Sequence, residues 1–514
     1  LTLTATLSIK VDEAVTVSLS TSGAATEGTD YTDGSGNLDD ITISAGSTTG
    51  TVSFTPTDDS VYEGDEAAVI AIDTVSGGGA TESGTQSVTV TISENESAPT
   101  VTLATSATSI AENSGSSLTL TATLSNVADE DVTVSLSTSG AATEGTDYTD
   151  GSGNLDDITI SAGSTTGTVS FTPTDDSVYE DDEAAVIAID TVSGADASES
   201  GTQSVTVTIT ENESAPTVTL AVSATSIAEN AGSSLTLTAT LSGATDETVT
   251  VALGTSGSAT EGTDYTDGSG NVDDITISAG STTGTVNFTP TDDSVYENDE
   301  TATIAITGVS GGGASESGSQ SVTITISENE SAPTVALTVS ASSIAENAGS
   351  SLTLTATLSV AADEAVTVSL STSGTSTEGT DYTDGSGNVD DITISAGSTT
   401  GTVNFTPTDD SVYEGNETAI IAISSVSGAD ASESGSQSVT ITITENESAP
   451  TITLARSAAS IDENSASTVT LTATISGVTD SAVTVALDTS GTATEGTDYG
   501  TISDITISAG ATTG

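Results

Sequence analysis

Five carboxylates fall within eleven residues at Pro56–Glu66, PTDDSVYEGDE, with no base inside the stretch to pair with them. The stretch returns as PTDDSVYEDDE (173–183), PTDDSVYENDE (290–300) and PTDDSVYEGNE (407–417). Converging carboxylates repel unless a cation sits among them. An oxygen-only set without His or Cys suits a hard divalent ion far better than zinc or copper. Calcium takes about 6–8 oxygens at ~2.3–2.6 Å, whereas magnesium holds a tight octahedron and keeps its own water.

The acids that could serve as ligands recur at four places. The first is the Glu of SIAEN or SIDEN: Glu112, Glu229, Glu346 and Glu463. The second is the Asp of EGTDY: Asp30, Asp147, Asp264, Asp381 and Asp498. The PTDD stretches supply Asp58, Asp59, Glu63, Asp65 and Glu66; Asp175, Asp176, Glu180, Asp182 and Glu183; Asp292, Asp293, Glu297, Asp299 and Glu300; and Asp409, Asp410, Glu414 and Glu417. The closing Glu-Asn-Glu adds Glu94 and Glu96, Glu211 and Glu213, Glu328 and Glu330, and Glu445 and Glu447.

Composition agrees with a cation as counter-charge. The 514 residues hold 75 acids against two bases, Lys10 and Arg456, for a net charge of −73. Such a surface repels nucleic acid and anionic membranes. No apolar run reaches the ~20 residues of a membrane helix, so no direct membrane insertion is expected. Without Cys or His, most nucleophile–base pairs are impossible. Carboxylate pairs could in principle hydrolyse glycosides, but no cleft or aromatic sugar platform is evident and the same acids repeat in every copy. No catalytic residue, and no enzyme, is expected.

Self-comparison shows what must position these acids. LTLTATLS begins at Leu1 and Leu118, and the same phase returns at Leu235, Leu352 and Val469, always 117 residues on. Cuts at the recurring SAPT give domains 1–97 (lacking its first strand), 98–214, 215–331, 332–448 and a partial 449–514. Within 98–214, seven segments alternate Thr or Ser with Val, Leu, Ile or Ala: TVTLATS, SSLTLTATLS, EDVTVSLSTS, DDITIS, GTVSFTPT, EAAVIAIDTV and QSVTVTIT. Period-2 alternation bounded by turn residues predicts strands with one buried face. The fold class is therefore all-β, a tandem array of seven-stranded immunoglobulin-like antiparallel sandwiches. With aromatics at 3%, each core must be built from small aliphatics and is marginal without help. If strands alternate direction, the four acidic places share one pole, facing the next module. DGSGNLDD (150–157) has a superficial likeness to a calcium loop but lacks the closing bidentate Glu, and reads as a Gly-rich turn.

SIAEN, EGTDYT, FTPTDDSVYEGDE and VTITENE together resemble the Calx-β domain, once in every 117 residues. The resemblance implies a seven-stranded sandwich that binds Ca²⁺ at one end. It maps the family's acidic positions onto Glu112, Asp147, Asp175, Asp176 and Glu180; where the family often has consecutive aspartates after the last strand, this chain has Glu-Asn-Glu.

A strand of about ten residues at ~3.3 Å each gives modules of roughly 35–45 Å and an array of about 150–200 Å. Calcium as cofactor, one or more ions per module, would join each acidic pole to the next module's loops, Asp129, Glu130 and Asp131 with Asp196 and Glu199 in the second copy. The expected function is a stalk or extender of a large secreted adhesin or filament, extracellular and bacterial. The expected partners are neighbouring repeats of the chain and, in a filament or matrix, identical chains. A calcium-sensing array, or a filament subunit assembling by strand complementation, are the alternatives.

Overall fold

The computed structural model describes residues 1–514, and every regular element in it is a strand. No helix is long and apolar enough to cross a membrane. The second module is described in detail, since the third and fourth repeat it strand for strand and the first and fifth represent part of the unit.

Its elements are β1 (Thr100–Thr105), β2 (Ser109–Ala111), β3 (Leu118–Leu124), β4 (Val127–Ala128), β5 (Val132–Gly140), β6 (Tyr148–Thr149), β7 (Ile158–Ile160), β8 (Thr166–Pro173), β9 (Val178–Tyr179), β10 (Glu183–Ser193), β11 (Ser198–Glu199) and β12 (Ser204–Thr210). One sheet runs β6-β8-β3-β1-β11 and the other β2-β12-β10-β5-β7. All seven alternating segments are strands. The additions are two- or three-residue pieces, too short to carry a period. One of them, β2, lets the first edge segment change sheets and lie parallel to β12, Ser109 opposite Thr208 and Ala111 opposite Thr210.

The alternation puts Val, Leu and Ile between the sheets and Thr and Ser outside. Twenty-one buried residues form this core, mostly aliphatic, with Tyr148 stacked on Phe171 at 4.5 Å between centroids. That pair recurs as Tyr31–Phe54, Tyr265–Phe288 and Tyr382–Phe405. Strand β5 ends at Gly140, where φ is 119° and an added Cβ would lie 2.0 Å from the Ala184 carbonyl oxygen. Only glycine fits this close crossing, and it launches the loop that carries Asp147.

Modules meet through backbone. Val61–Tyr62 pairs in parallel with Val127–Ala128, Val178–Tyr179 with Ala244–Thr245, Val295–Tyr296 with Ala361–Ala362, and Val412–Tyr413 with Val478–Thr479. The loop between β8 and β10 thus lies at the end that touches the next module.

Candidate metal centre

Glu112 follows β2, and the parallel pairing of β2 with β12 carries it beneath the β8–β10 loop. Its backbone N–H donates to Thr210 O at 3.1 Å, and its Oε1 accepts from the Asp176 amide at 3.1 Å. Glu229 and Glu346 accept in the same way from Asp293 and Asp410. These three glutamates are only 6–7% exposed. Burial pushes their carboxyl groups up, Glu229 to about 7, against the lowering effect of that amide.

Asp147 is held by its neighbour. Tyr148 is fully buried, and the loop before it closes through Gly145 N–H to Tyr148 O at 2.8 Å and Thr143 N–H to Asp147 Oδ2 at 2.5 Å. The Asp147 carbonyl accepts from Thr174 N–H at 2.9 Å, fastening this loop to the β8–β10 loop. Asp147, Glu180 and Glu183 then offer oxygens all within 4.8 Å of one another, as do Asp30, Glu63 and Glu66, and Asp264, Glu297 and Glu300. Burial first, and the Asp147 charge second, push Glu180 and Glu183 up to about 7. Glu183 Oε2 is buried and has no hydrogen-bond partner.

A second triad, Glu112, Glu211 and Glu213, is equally tight and recurs as Glu229, Glu328 and Glu330. Glu211 Oε2 accepts from Glu180 N–H at 2.5 Å, and its Oε1 from the amides of Asn212 and Glu213, both at 2.6 Å. Burial works against ionisation here, yet such amides hold Glu94 and Glu445 down to about 2. Glu213, hydrogen-bonded to Glu211 and partly desolvated, is pushed up to about 7. Its Oε2, with those of Glu330 and Glu447, is buried without a partner. A single hollow lined by Glu112, Asp147, Glu180, Glu183 and Glu211, with Thr174, Asp181 and Ile209, joins the two triads.

The other acids singled out from the sequence take other places. Asp176 is beside the site, its Oδ1 accepting from Val178 N–H at 2.6 Å, and Asp175 and Asp176 both add to the field on Glu112. Asp58 and Asp409 accept from the Asn95 and Asn446 side chains at 3.2 and 3.4 Å. Asp182 turns away to accept from Glu211 N–H at 2.9 Å; Asp65 and Asp299 do likewise, and Asn416 substitutes for them at 3.1 Å. In the fifth module Glu463 is exposed, and Asp498 accepts from Thr494 N–H at 2.7 Å as Asp147 does from Thr143. Asp150 of DGSGNLDD accepts from Ser152 and Gly153 amides at 2.6 and 2.9 Å, a turn.

Of the next module's loop acids, the first faces the pole. Asp129 feels Asp30 and Glu94, Glu183 feels Asp246, Glu300 feels Asp363, and Glu417 feels Asp480. Glu130 and Asp131 serve their own module, accepting from Ala195 and Ala162 amides at 3.3 and 2.8 Å. Glu199 accepts from Gln203 N–H in its own hairpin, and Asp196 accepts from the hydroxyl of Tyr62. Sequence reasoning passed over Asp181 and Thr174, which line the hollow; neither belongs to a recurring acidic position, and Gly64, Asn298 and Gly415 replace Asp181 in other copies.

The arrangement suits a hard cation: oxygen donors only, orphaned buried carboxylate oxygens, and glutamates whose protons a metal would displace. The family model for the Calx-beta domain matches residues 3–96, 94–213, 211–330, 328–447 and 445–510. The chain belongs to the Calx-beta family. It is a repeat region of five tandem Calx-beta domains, two of them partial. Among curated proteins no sequence matches the chain. Among solved structures, CBD12 from CALX1.2 is 16% identical, with 44% of this chain and 100% of that one covered and a TM-score of 0.20. Invasin, a bacterial integrin-binding protein, is 14% identical over 89% of this chain and 78% of its own, with a TM-score of 0.22. Surface layer protein SbsC, domains 1–6, is 12% identical over 87% and 65%, at 0.19.

Proposed function

We propose that this Calx-beta array is a structural extender of a cell-surface or secreted bacterial protein, stiffened by Ca²⁺ at each module's acidic pole. The observation that carries the reading is Glu183. It has an orphaned oxygen, its carboxylate clusters with Asp147 and Glu180, and it lies within the field of Glu112 of its own module and Asp246 of the next. Glu112, Asp147, Glu180, Glu183, Glu211 and Glu213 would hold the metal, whose double positive charge offsets repulsion within a module and across the boundary. Without it the tips repel and the junction loosens. Adhesion or matrix building is the corresponding biology, with neighbouring repeats and identical chains as partners and no catalysis.

Thermal melting and small-angle scattering of the 514-residue chain, with calcium and with chelator, test this. A rise in melting temperature of roughly ten degrees and a longer maximum dimension are expected on adding calcium. A rise of less than a few degrees with an unchanged maximum dimension overturns the reading.

A further inference from the structure

The four module boundaries share the parallel backbone bridge, yet the tyrosine in that bridge is handled in two ways. Tyr62 is 9% exposed and joins the hydrophobic core of the second module beside Ala128 and Ala195. Tyr296 is 8% exposed and joins the core of the fourth beside Ala362 and Ala429. Tyr179 is half-buried and stands outside the core of the third.

The hydroxyls follow suit. Tyr62 donates to Asp196 Oδ2 of the next module at 3.0 Å, and Tyr296 reaches Asp430 Oδ2 at 3.4 Å besides Asn298 Oδ1 at 2.8 Å. Tyr179 stays in its own loop and donates to Asp181 Oδ1 at 3.0 Å.

The receiving loops differ in step. Ala195 and Asp196 both have φ of 50°, and Ala429 and Asp430 have 50° and 47°. The third module reaches the same conformation with Gly312 and Gly313, at φ of 52° and 57°. Left-handed backbone is strained for Ala and free for Gly, so its retention in alternate modules needs a compensating contact. The tyrosine hydroxyl supplies one. At the second boundary that space is already taken: a Cβ on Gly313 would lie 2.6 Å from the Tyr179 ring and one on Gly312 would lie 2.6 Å from Thr245 Oγ1, so Ala and Asp fit there only once those side chains give way. Thr479 repeats Thr245 in the fifth module.

We infer that the junctions are of two alternating kinds: at the first and third the tip tyrosine's hydroxyl reaches an aspartate of the next module, and at the second its ring rests on Gly313 while its hydroxyl stays in its own loop. Tips and receivers are matched surfaces. A tip bearing Asp181 set against Asp196 would bring two carboxylates to one hydroxyl. These contacts are uncharged or singly charged hydrogen bonds and packing, so the alternation does not depend on a metal.

Hydrogen exchange of the 514-residue chain, in calcium and in chelator, tests this. The receiving segments 125–133, 242–250 and 359–367 differ in composition, so their peptides separate by mass. The amides of Asp129, Asp246 and Asp363 all donate to the tyrosine carbonyl across the boundary, at 3.2, 3.3 and 3.1 Å; with the hydroxyl anchored in the next module as well, those of Asp129 and Asp363 should exchange roughly five- to tenfold more slowly than that of Asp246 in both buffers. Asp196→Gly with Asp430→Gly relieves backbone strain and so keeps the fold, and should bring the three amides within about twofold of one another. Transplanting the residues of the first boundary by Asp181→Gly, which frees the Tyr179 hydroxyl, Thr245→Ala, which clears position 312, Gly312→Ala and Gly313→Asp should slow Asp246 to match. Equal exchange at the three boundaries of the unaltered chain, or no change at Asp129 and Asp363 in the double variant, overturns the inference.

Discussion

Replacing Glu66, Glu183, Glu300 and Glu417 together by Gln should have opposite effects with and without calcium. Without metal, burial and the neighbouring aspartate push Glu183 from an unfolded value near 4.5 to about 7. A carboxyl whose folded pKa is raised contributes most below pH 4.5 and loses that contribution as pH climbs through 7. At about 1.36 kcal/mol per pKa unit the loss above pH 7 is at most ~3.4 kcal/mol. The side chain is only half-buried and water screens it, which reduces the figure to roughly 1 kcal/mol per module. Glutamine keeps a donor for Asp147 and never ionises. In chelator at pH 8 the quadruple variant should therefore melt about 4 °C higher than the unaltered chain, and at pH 5, where Glu183 is already protonated, at about the same temperature. With calcium the sign reverses, because a charged ligand is lost and the calcium-induced rise shrinks. Calorimetry at the two pH values, with and without calcium, measures all four. A variant that is less stable in chelator at pH 8, or equally more stable in both buffers, refutes the argument.

The unaltered chain in chelator should melt at lower temperature at pH 8 than at pH 5, as Glu180, Glu183 and Glu213, all raised to about 7, ionise. At the acid end the sign is opposite: Glu94 and Glu445, held at about 2, protonate as pH falls from 4.5 to 2 and stability falls with them. Calcium affinity, by isothermal titration, should drop about tenfold or more between pH 8 and pH 6, with protons released on binding. Glu229→Ala leaves the Asp293 amide without its acceptor and should cost the third module about 1–3 kcal/mol even in chelator, with Glu229→Gln costing less, as read by denaturant titration. Phe288→Ala empties a fully buried position stacked on Tyr265 and should cost about 3–5 kcal/mol, exposing the third module first to limited proteolysis.

The strands were legible because Thr/Ser alternating with aliphatics over six to ten residues has one physical meaning, and the 117-residue period multiplied the signal. The pole was legible because antiparallel order sends alternate connections to the same end. Roles within it were not. Asp182 and Glu183 are adjacent in sequence, yet strand alternation sends one to cap the Glu211 amide and the other into the hollow. Asp129, Glu130 and Asp131 look equivalent as a run, and the local turn assigns each a different partner. The bridges at the junctions involve two residues on each side, and a Val-Tyr dipeptide has no periodicity to betray its pairing.

The placing of tyrosine also makes the protein its own optical probe. With no tryptophan, its near-ultraviolet absorption and emission come from nine tyrosines: Tyr31, Tyr148, Tyr265, Tyr382 and Tyr499 in the EGTDY position, and Tyr62, Tyr179, Tyr296 and Tyr413 at the boundaries. The four stacked on phenylalanine sense the interior, and the four at the boundaries sense contact between neighbours. Undocking of domains and melting of domains are therefore expected as separable spectroscopic events, recordable on unlabelled material.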